Sequence, residues 1–189
     1  MARQMPDTPG EAVFLRDTGH SIHDERPRWL ADRMVAFLGN EGRGRPLAEA
    51  GWVHGHDLEV EHLDRILEII RVGSTGAVRG RAGQSTWLHL AVPTPVIADG
   101  RRLRAGSVLV RFRTDADDTR IRAVHVYDGE NRIGALNGLA ETSRGWRVVR
   151  VPLPRAPEVR WGIGISLEVA FGRDGGRVEV ASAGCDFLG

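Results

Sequence analysis

Hydrophobic and polar residues alternate along most of the chain after residue 51, with the period of two that is typical of β-strands. The clearest run places Ile163, Ile165, Leu167, Val169 and Phe171 on one side and Gly164, Ser166, Glu168 and Ala170 on the other. A second run alternates Val108, Val110 and Phe112 with Leu109, Arg111 and Arg113. Each run predicts a strand with one face in a core.

The alternating runs are separated by Gly, Pro, Asp and Asn, which favour turns. The pattern predicts strands at 52–61, 65–72, 86–92, 104–113, 120–128, 131–137, 146–152, 159–171 and 177–187. Asp128 and Gly129 lie between two of these runs and predict a hairpin, because glycine supplies the positive φ that tight turns need. Pro93 and Pro95 predict the end of a strand, since neither can donate to a ladder.

Strands follow one another without helices between them, which disfavours a parallel βαβ sheet. We therefore predict an all-β fold: an antiparallel two-sheet β-sandwich, jelly-roll-like, with a closed barrel as the alternative.

The beginning of the chain has a different pattern and predicts a short strand-helix N-terminal extension. Residues 11–15 form an apolar run suited to a strand, and residues 27–38 carry apolar side chains at helical spacing. Three glycines and a proline then fall within 39–46, which favours a linker. We predict a strand and helix segment at 1–38, a Gly/Arg-rich linker at 39–50 and a β-sandwich domain at 51–189.

The N-terminal segment carries a possible catalytic histidine. Its succession of strand, Gly19-His20, Glu25-Arg-Pro27 and helix, over about 11–39, resembles the C-terminal end of α/β-hydrolases. The resemblance implies that His20 is the base of a triad. However, a triad also needs a nucleophile and an acid upstream of the histidine, and no serine and no G-x-S-x-G elbow precedes His20. We expect a hydrolase relic or fusion fragment, with a role completed by another polypeptide as the alternative.

Charge and composition exclude several classes of function. The 26 basic residues, all of them Arg, nearly balance 25 acidic ones, so no net field attracts nucleic acid or anionic lipid. The absence of Lys excludes Schiff-base chemistry and a phosphate-loop lysine. No apolar run is long enough for a membrane helix or a signal peptide, and the single Cys185 cannot form an internal disulfide. We expect a cytoplasmic protein without nucleic-acid or membrane partners.

Several blocks in the main domain carry a second resemblance. They include Trp52-Val-His-Gly55, residues 86–97, Leu103-Arg-Ala-Gly-Ser107, Val126-Tyr-Asp-Gly129, Trp161-Gly-Ile-Gly-Ile-Ser166 and Ala183-Gly-Cys-Asp-Phe187. Together, over about 51–188, they look like an uncharacterised bacterial family of small all-β domains. The resemblance implies a β-sandwich and no activity.

A pair of histidines gives a weak metal candidate. On one strand His54 and His56 would point to the same side, and two imidazoles can ligate zinc or a similar cation. His89, His125 or Asp186 would have to supply a third ligand. The alternative is a structural or surface role, because Leu58 shares the parity of both histidines and suggests that this face turns into the core.

Other candidates are aromatic, basic or thiol side chains. Four of the five tryptophans lie in the main domain. We expect them mainly to fill the core, while Trp87, Trp146 and Trp161 are weak candidates for a ligand platform. An arginine-rich stretch predicts either a strip for an anionic ligand or a face neutralised by neighbouring acids; its arginines are Arg101, Arg102, Arg104, Arg111, Arg113, Arg120 and Arg122. We expect Cys185 to be a buried, inert thiol.

Taken together, the sequence predicts a β-sandwich that binds an unknown ligand or protein partner without catalysis and needs no cofactor. Homo-oligomerisation through edge strands or the exposed helix face is a further expectation. The alternatives are a fragment or fusion partner of an α/β-hydrolase and a metal-dependent enzyme that uses His54 and His56.

Overall fold

The computed structural model describes residues 46–189, and the chain divides into one unit at Met1–Arg43 and another at Gly44–Gly189. The predicted segment 1–38, with His20, therefore lies outside the described residues.

Two antiparallel sheets make up most of the described domain. The first sheet contains β1 (Leu47–His54), β3 (Ile66–Val72), β4 (Thr75–Gly80), β8 (Arg104–Thr114), β11 (Arg147–Pro152) and β13 (Arg177–Leu188). The second sheet contains β2 (Glu59–Val60), β5 (Ser85–Val92), β9 (Thr119–Asp128), β10 (Asn131–Leu136) and β12 (Ile163–Phe171). A separate two-stranded ribbon joins β6 (Ile97–Ala98) to β7 (Arg101–Arg102).

The strand order is β11-β8-β13-β4-β3 in the first sheet and β10-β9-β12-β5-β2 in the second. In the first sheet β1 and β4 pair with different stretches of β13: β1 pairs with its second half and β4 with its beginning. Every pairing is antiparallel, which confirms the predicted sandwich.

The core lies between the two sheets and follows the predicted alternation. In β12 the residues Ile163, Ile165, Leu167, Val169 and Phe171 are all buried. From the first sheet, Val108, Val110 and Phe112 of β8 and Phe187 of β13 are also buried. Burial of these side chains is the main source of stability for such a fold.

The predicted strand at 52–61 is wrong in its middle. Strand β1 begins at Leu47, inside the predicted linker, and ends at His54; a 3-10 turn at Gly55–Asp57 then carries the chain across to β2 in the other sheet. Gly55 permits the crossing, because an added Cβ would collide with the Val180 carbonyl oxygen. A local alternation of side chains does not show that the backbone changes sheets.

Strand β4 was not predicted, because its sequence Thr-Gly-Ala-Val-Arg-Gly reads as a turn-rich segment. Its glycines are required by close contacts. Gly76 lies against the Gly55 carbonyl, and Gly80 lies beneath the Phe171 ring. Backbone and ring approach these positions so closely that no side chain fits.

The predicted hairpin is confirmed. Asp128 pairs with Asn131, and Gly129 has a φ of +58° at the first central position of the turn, as a type II′ turn requires. The described residues contain no helix with the length and apolarity needed to cross a membrane.

A candidate ligand-binding face on the second sheet

The outer face of the second sheet carries a group of aromatic and polar side chains, most of them partly exposed. Strand alternation points Leu88 and Leu90 of β5 into the core, so the intervening residues point outward. The outward residues of the three central strands are Trp87 and His89 of β5, Ser166 and Glu168 of β12, and His125 and Tyr127 of β9.

Three rings form a continuous aromatic strip, defined here as Trp87, His125 and Tyr127. The ring centroids of Trp87 and His125 are 4.7 Å apart, and those of His125 and Tyr127 are 6.3 Å apart with a T-shaped orientation. Trp87 and His125 lie on strands that flank β12, so the indole reaches across the middle strand. The small side chain of Ser166 allows this, because Ser166 is the neighbour of His125 on β12.

Hydrogen bonds fix the His125 ring within the aromatic strip. Its Nε2 lies 2.8 Å from Oδ1 of Asn137, an oxygen that can only accept, so Nε2 carries the proton. Its Nδ1 lies 3.5 Å from the Tyr127 hydroxyl. The ring is therefore held in one orientation and presents an edge and a face between two larger aromatic side chains.

A second hydrogen-bonded chain runs beside the strip. His89 places Nε2 3.1 Å from a Glu61 carboxylate oxygen and Nδ1 2.9 Å from the Ser166 hydroxyl. The carboxylate only accepts, so Nε2 donates to it, and Nδ1 lies within hydrogen-bond distance of the Ser166 hydroxyl.

Serine, histidine and glutamate in this order are also found in acyl-transfer enzymes, which need in addition preorganised donors for an oxyanion. Ser166 lies in the middle of β12 with paired strands on both sides, opposite His89 and His125. Its backbone N–H therefore belongs to the hydrogen-bonded ladder of the sheet, whereas an oxyanion needs donors that are free to bind it. The arrangement is suited to orienting polar groups on the face.

The same face ends in a shallow hollow at the beginning of β9. The hollow has a volume of about 440 Å³ and is lined by Ser85, Arg120, Arg122, Leu139 and Ala170, among others. Ser85 is two residues from Trp87 on the outward side of β5, so the hollow continues the face that carries the aromatic strip. A guanidinium nitrogen of Arg122 lies 4.0 Å from the Glu168 carboxylate, which places both charges beside Trp87.

The three tryptophans predicted as candidates for a ligand platform lie at three different places in the structure. Trp87 belongs to the aromatic strip. Trp146, 37% exposed, lies at the outer face of the first sheet, with the guanidinium carbons of Arg113 and Arg111 4.7 and 5.7 Å from its ring centroid. Trp161 is 69% exposed and precedes β12.

The expectation that tryptophans fill the core is wrong for the part of the chain described here. Trp52 is also exposed, with its indole against Gly184 on the outside of the first sheet. The core takes its large side chains from phenylalanine and aliphatic residues instead, including Phe112, Phe171 and Phe187. Indole N–H groups stay at the surface, where they need no buried partner.

His54 and His56 are close, but not as two residues of one strand. His56 belongs to the 3-10 turn, and the two rings stack with centroids 6.0 Å apart. His89 and His125 lie on the second sheet, whereas Asp186 lies on β13. Within residues 46–189 there is no group of three or more His, Cys, Asp or Glu side chains placed to hold a metal ion.

The arginines singled out from the sequence do not form one strip. Arg111 and Arg113 lie on the first sheet, whereas Arg120 and Arg122 lie on the second. Several pair with acids: Arg113 lies 2.8 Å from Glu179, and Arg104 lies 3.2 Å from Glu158.

Cys185 is fully buried, as predicted. Burial, together with the nearby Asp186 carboxylate, raises the pKa of its thiol to about 12, so it is not a nucleophile at neutral pH.

Sequence reasoning missed Tyr127, Glu61 and Ser166, and considered His125 and His89 only as metal ligands. The alternation within β9 and β12 already placed residues 125, 127 and 166 opposite buried positions. It did not show that β9, β12 and β5 are neighbours.

The comparisons with known proteins give a family and several distant structures. The model of the family described as "Family of unknown function (DUF6623)" matches residues 47–189. No protein of curated function matches the chain.

Similar solved structures include a low-affinity xylan binding module, CBM86, from Roseburia intestinalis (11% identity, 74% of this chain and 96% of that chain, TM-score 0.45). A family 29 carbohydrate binding module from Piromyces equi has 8% identity, 75% and 93% coverage and a TM-score of 0.42. A Stig cyclase from Fischerella sp. TAU has 9% identity, 71% and 88% coverage and a TM-score of 0.41. At such identities and scores the likeness carries no argument about ligand or activity.

Proposed function

The chain belongs to this family of unknown function, DUF6623, through residues 47–189, and we propose that its β-sandwich is a non-catalytic module that binds carbohydrate on the aromatic strip. The observation that carries the proposal is the contact of Trp87 with His125, and of His125 with Tyr127, on the outer face of the second sheet.

The chemistry of the strip suits a sugar ring. A pyranose has an apolar C–H face that packs on an aromatic ring, and an edge of hydroxyl groups that both donate and accept hydrogen bonds. The strip supplies the rings. Glu61, Glu168 and Arg122 supply acceptors and donors beside them.

A purely apolar partner fits this face less well. It would cover the rings. It would also remove the charged and polar side chains of Glu168, Arg122 and His89 from water without offering them new hydrogen-bond partners, which is unfavourable. A ligand with a hydroxyl edge satisfies the polar groups while its apolar face covers the aromatic rings. These polar side chains beside the rings therefore favour a carbohydrate over a hydrophobic peptide or a lipid.

Rigid presentation supports binding. His125 is held by Asn137 and Tyr127, and His89 is held by Glu61 and Ser166. Side chains that are already ordered lose little rotamer freedom when a ligand binds.

The sequence-based expectations of a cytoplasmic location and of homo-oligomerisation remain predictions.

Screening the full chain on a glycan array, followed by calorimetric titration with the glycan that binds best, tests the proposal. Trp87→Ala is expected to weaken binding about tenfold or more, because it removes the largest stacking surface. Trp146→Ala is the matched control, since it removes an exposed tryptophan from the other sheet. We expect it to change the affinity less than twofold.

Two results would contradict the proposal. One is the absence of binding to any glycan on an array that covers plant, fungal and bacterial polysaccharides. The other is glycan binding that Trp87→Ala leaves unchanged, or that Trp146→Ala weakens equally.

A further inference from the structure

Trp161 is the most exposed of the described tryptophans, and the structure holds its backbone in place. Its side chain is 69% exposed. The buried Asp128 carboxylate accepts hydrogen bonds from the backbone N–H groups of Arg160, Trp161 and Gly162, at 2.9, 2.7 and 3.0 Å. Thr94 accepts a further bond from the N–H of Ile163 at 3.0 Å. The loop therefore fixes where the indole is presented.

The indole rests on a position that has no side chain. A Cβ added to Gly129 would lie 2.9 Å from Cδ1 of Trp161 and 3.0 Å from its Cβ. Such distances are shorter than an ordinary carbon contact. Glycine at 129 serves the hairpin turn and also makes room for the Trp161 ring.

This contact places Trp161 next to the aromatic strip. Gly129 lies in the hairpin turn directly after β9, two residues beyond Tyr127, and β9 carries two of the three rings of the strip. On the neighbouring strand Gly164, the register partner of Tyr127, follows Trp161 by three residues. Trp161 therefore lies at the hairpin end of the second sheet, beyond Tyr127, which is the last ring of the aromatic strip.

Nothing in the local packing requires an exposed tryptophan at 161. Its side chain contributes little to the core at this exposure. Tryptophan combines a large apolar ring with a polar N–H and is enriched where proteins bind partners. The hydrogen bonds to Asp128 order the backbone before any ligand arrives, so a contact with the indole loses little conformational entropy.

We propose that Trp161 forms the terminal subsite of an extended site that starts at Trp87, and that the ligand is a linear oligosaccharide or polysaccharide chain. The inference rests on the proposed carbohydrate-binding function. A mono- or disaccharide would cover part of the aromatic strip, whereas a longer chain would reach Trp161 as well. Affinity should therefore rise with chain length until the ligand reaches this indole.

The experiment is a titration of the full chain with β-1,4-linked xylo-, cello- and galacto-oligosaccharides of two to six units. In the series that binds, the hexasaccharide is expected to bind about tenfold or more tightly than the disaccharide. Trp161→Ala should weaken the hexasaccharide about tenfold and the disaccharide less than twofold. Trp87→Ala should weaken every length.

Two further variants make the test specific. Trp146→Ala, on the other sheet, should preserve the length dependence. Asp128→Asn keeps the indole but loosens its loop, so it should reduce the gain with length by a smaller factor than Trp161→Ala. The midpoint of thermal unfolding of Trp161→Ala should match that of the unmodified chain, because the removed side chain is exposed.

The outcomes separate this inference from the proposed function. If an oligosaccharide binds and Trp87→Ala weakens it, but affinity does not depend on length or on Trp161, the extended site is refuted and the carbohydrate-binding function stands. If no oligosaccharide in the three series binds, the extended site for a linear β-1,4-linked chain is refuted, whereas the carbohydrate-binding function is decided by the glycan array.

Discussion

Replacing Asp128 tests whether one buried carboxylate organises the loop before β12. Asp128 is 4% exposed and accepts three backbone N–H bonds from residues 160–162. Burial alone would raise the pKa of this carboxyl. The hydrogen bonds from Trp161, Gly162 and Arg160, and the Arg160 guanidinium, outweigh burial and leave the pKa below its ordinary value. The folded state therefore prefers the charged form.

The magnitude follows from the three bonds. A hydrogen bond to a charged group contributes about 1.5–3 kcal/mol net. The three bonds share one carboxylate whose burial offsets part of the gain, so their contributions are not additive. We expect Asp128→Ala to lower the free energy of unfolding by about 3–4 kcal/mol. We expect Asp128→Asn, which retains one acceptor oxygen, to lower it by about 1–2 kcal/mol.

The pH dependence has a definite sign. Because the pKa of Asp128 is lower in the folded state, its contribution is fully present above the unfolded value of about 3.9 and is lost as the pH falls through the folded value. Asp128→Asn removes this titration. The difference in unfolding free energy between the unmodified chain and Asp128→Asn should therefore be largest near neutral pH and shrink in the acid range below about pH 4.

Urea unfolding followed by tryptophan fluorescence, at pH 7 and at pH 3, measures both effects. The fitted slopes should agree between variants, so that the midpoints report stability. Equal stability of Asp128→Asn and the unmodified chain at pH 7 would contradict this role of the Asp128 carboxylate. So would a difference that grows as the pH is lowered.

Three other predictions concern the core and its edges. Gly55→Ala should destabilise the fold by about 3 kcal/mol or more, because its Cβ meets the Val180 carbonyl, whereas Gly145→Ala, which meets nothing within 4 Å, should be neutral in the same thermal unfolding assay. Cys185 should resist iodoacetamide at pH 8 in the folded protein and react in urea, and rapid labelling of the folded protein would contradict its burial. Glu179→Gln should lower stability by about 1–3 kcal/mol, because the buried carboxylate binds two arginines, and an unchanged urea midpoint would show that these ion pairs contribute nothing.

Most of the fold was predictable because most strands carry their own signal. The alternation in β12 names its buried residues without knowledge of any neighbour, and Asp128-Gly129 predicts the hairpin from two adjacent residues. The errors occur where a contact between distant segments determines the path of the backbone. At Gly55 the chain crosses from one sheet to the other. Gly76, which packs against Gly55, belongs to β4, and the sequence of β4 does not by itself predict a strand.

The candidate site was less predictable for a related reason. Trp87 was a candidate from its residue type alone, but its contact with His125 crosses a third strand between them. The pattern also suggested that tryptophans fill the core, because aromatic side chains suit both a core and a binding surface. Only their exposure separates the two roles.

The amino-acid sequence was enough to predict antiparallel strands in a sandwich or a closed barrel, the inward-pointing residues of most strands, and the burial of Cys185. Those properties depend on alternation within a few consecutive residues. The folded arrangement was needed to show that two sheets form a sandwich, that Glu61, His89 and Ser166 are joined by hydrogen bonds, and that Trp161 lies on Gly129. These residues meet only because strand pairing brings distant segments into register, and pairing depends on the whole chain.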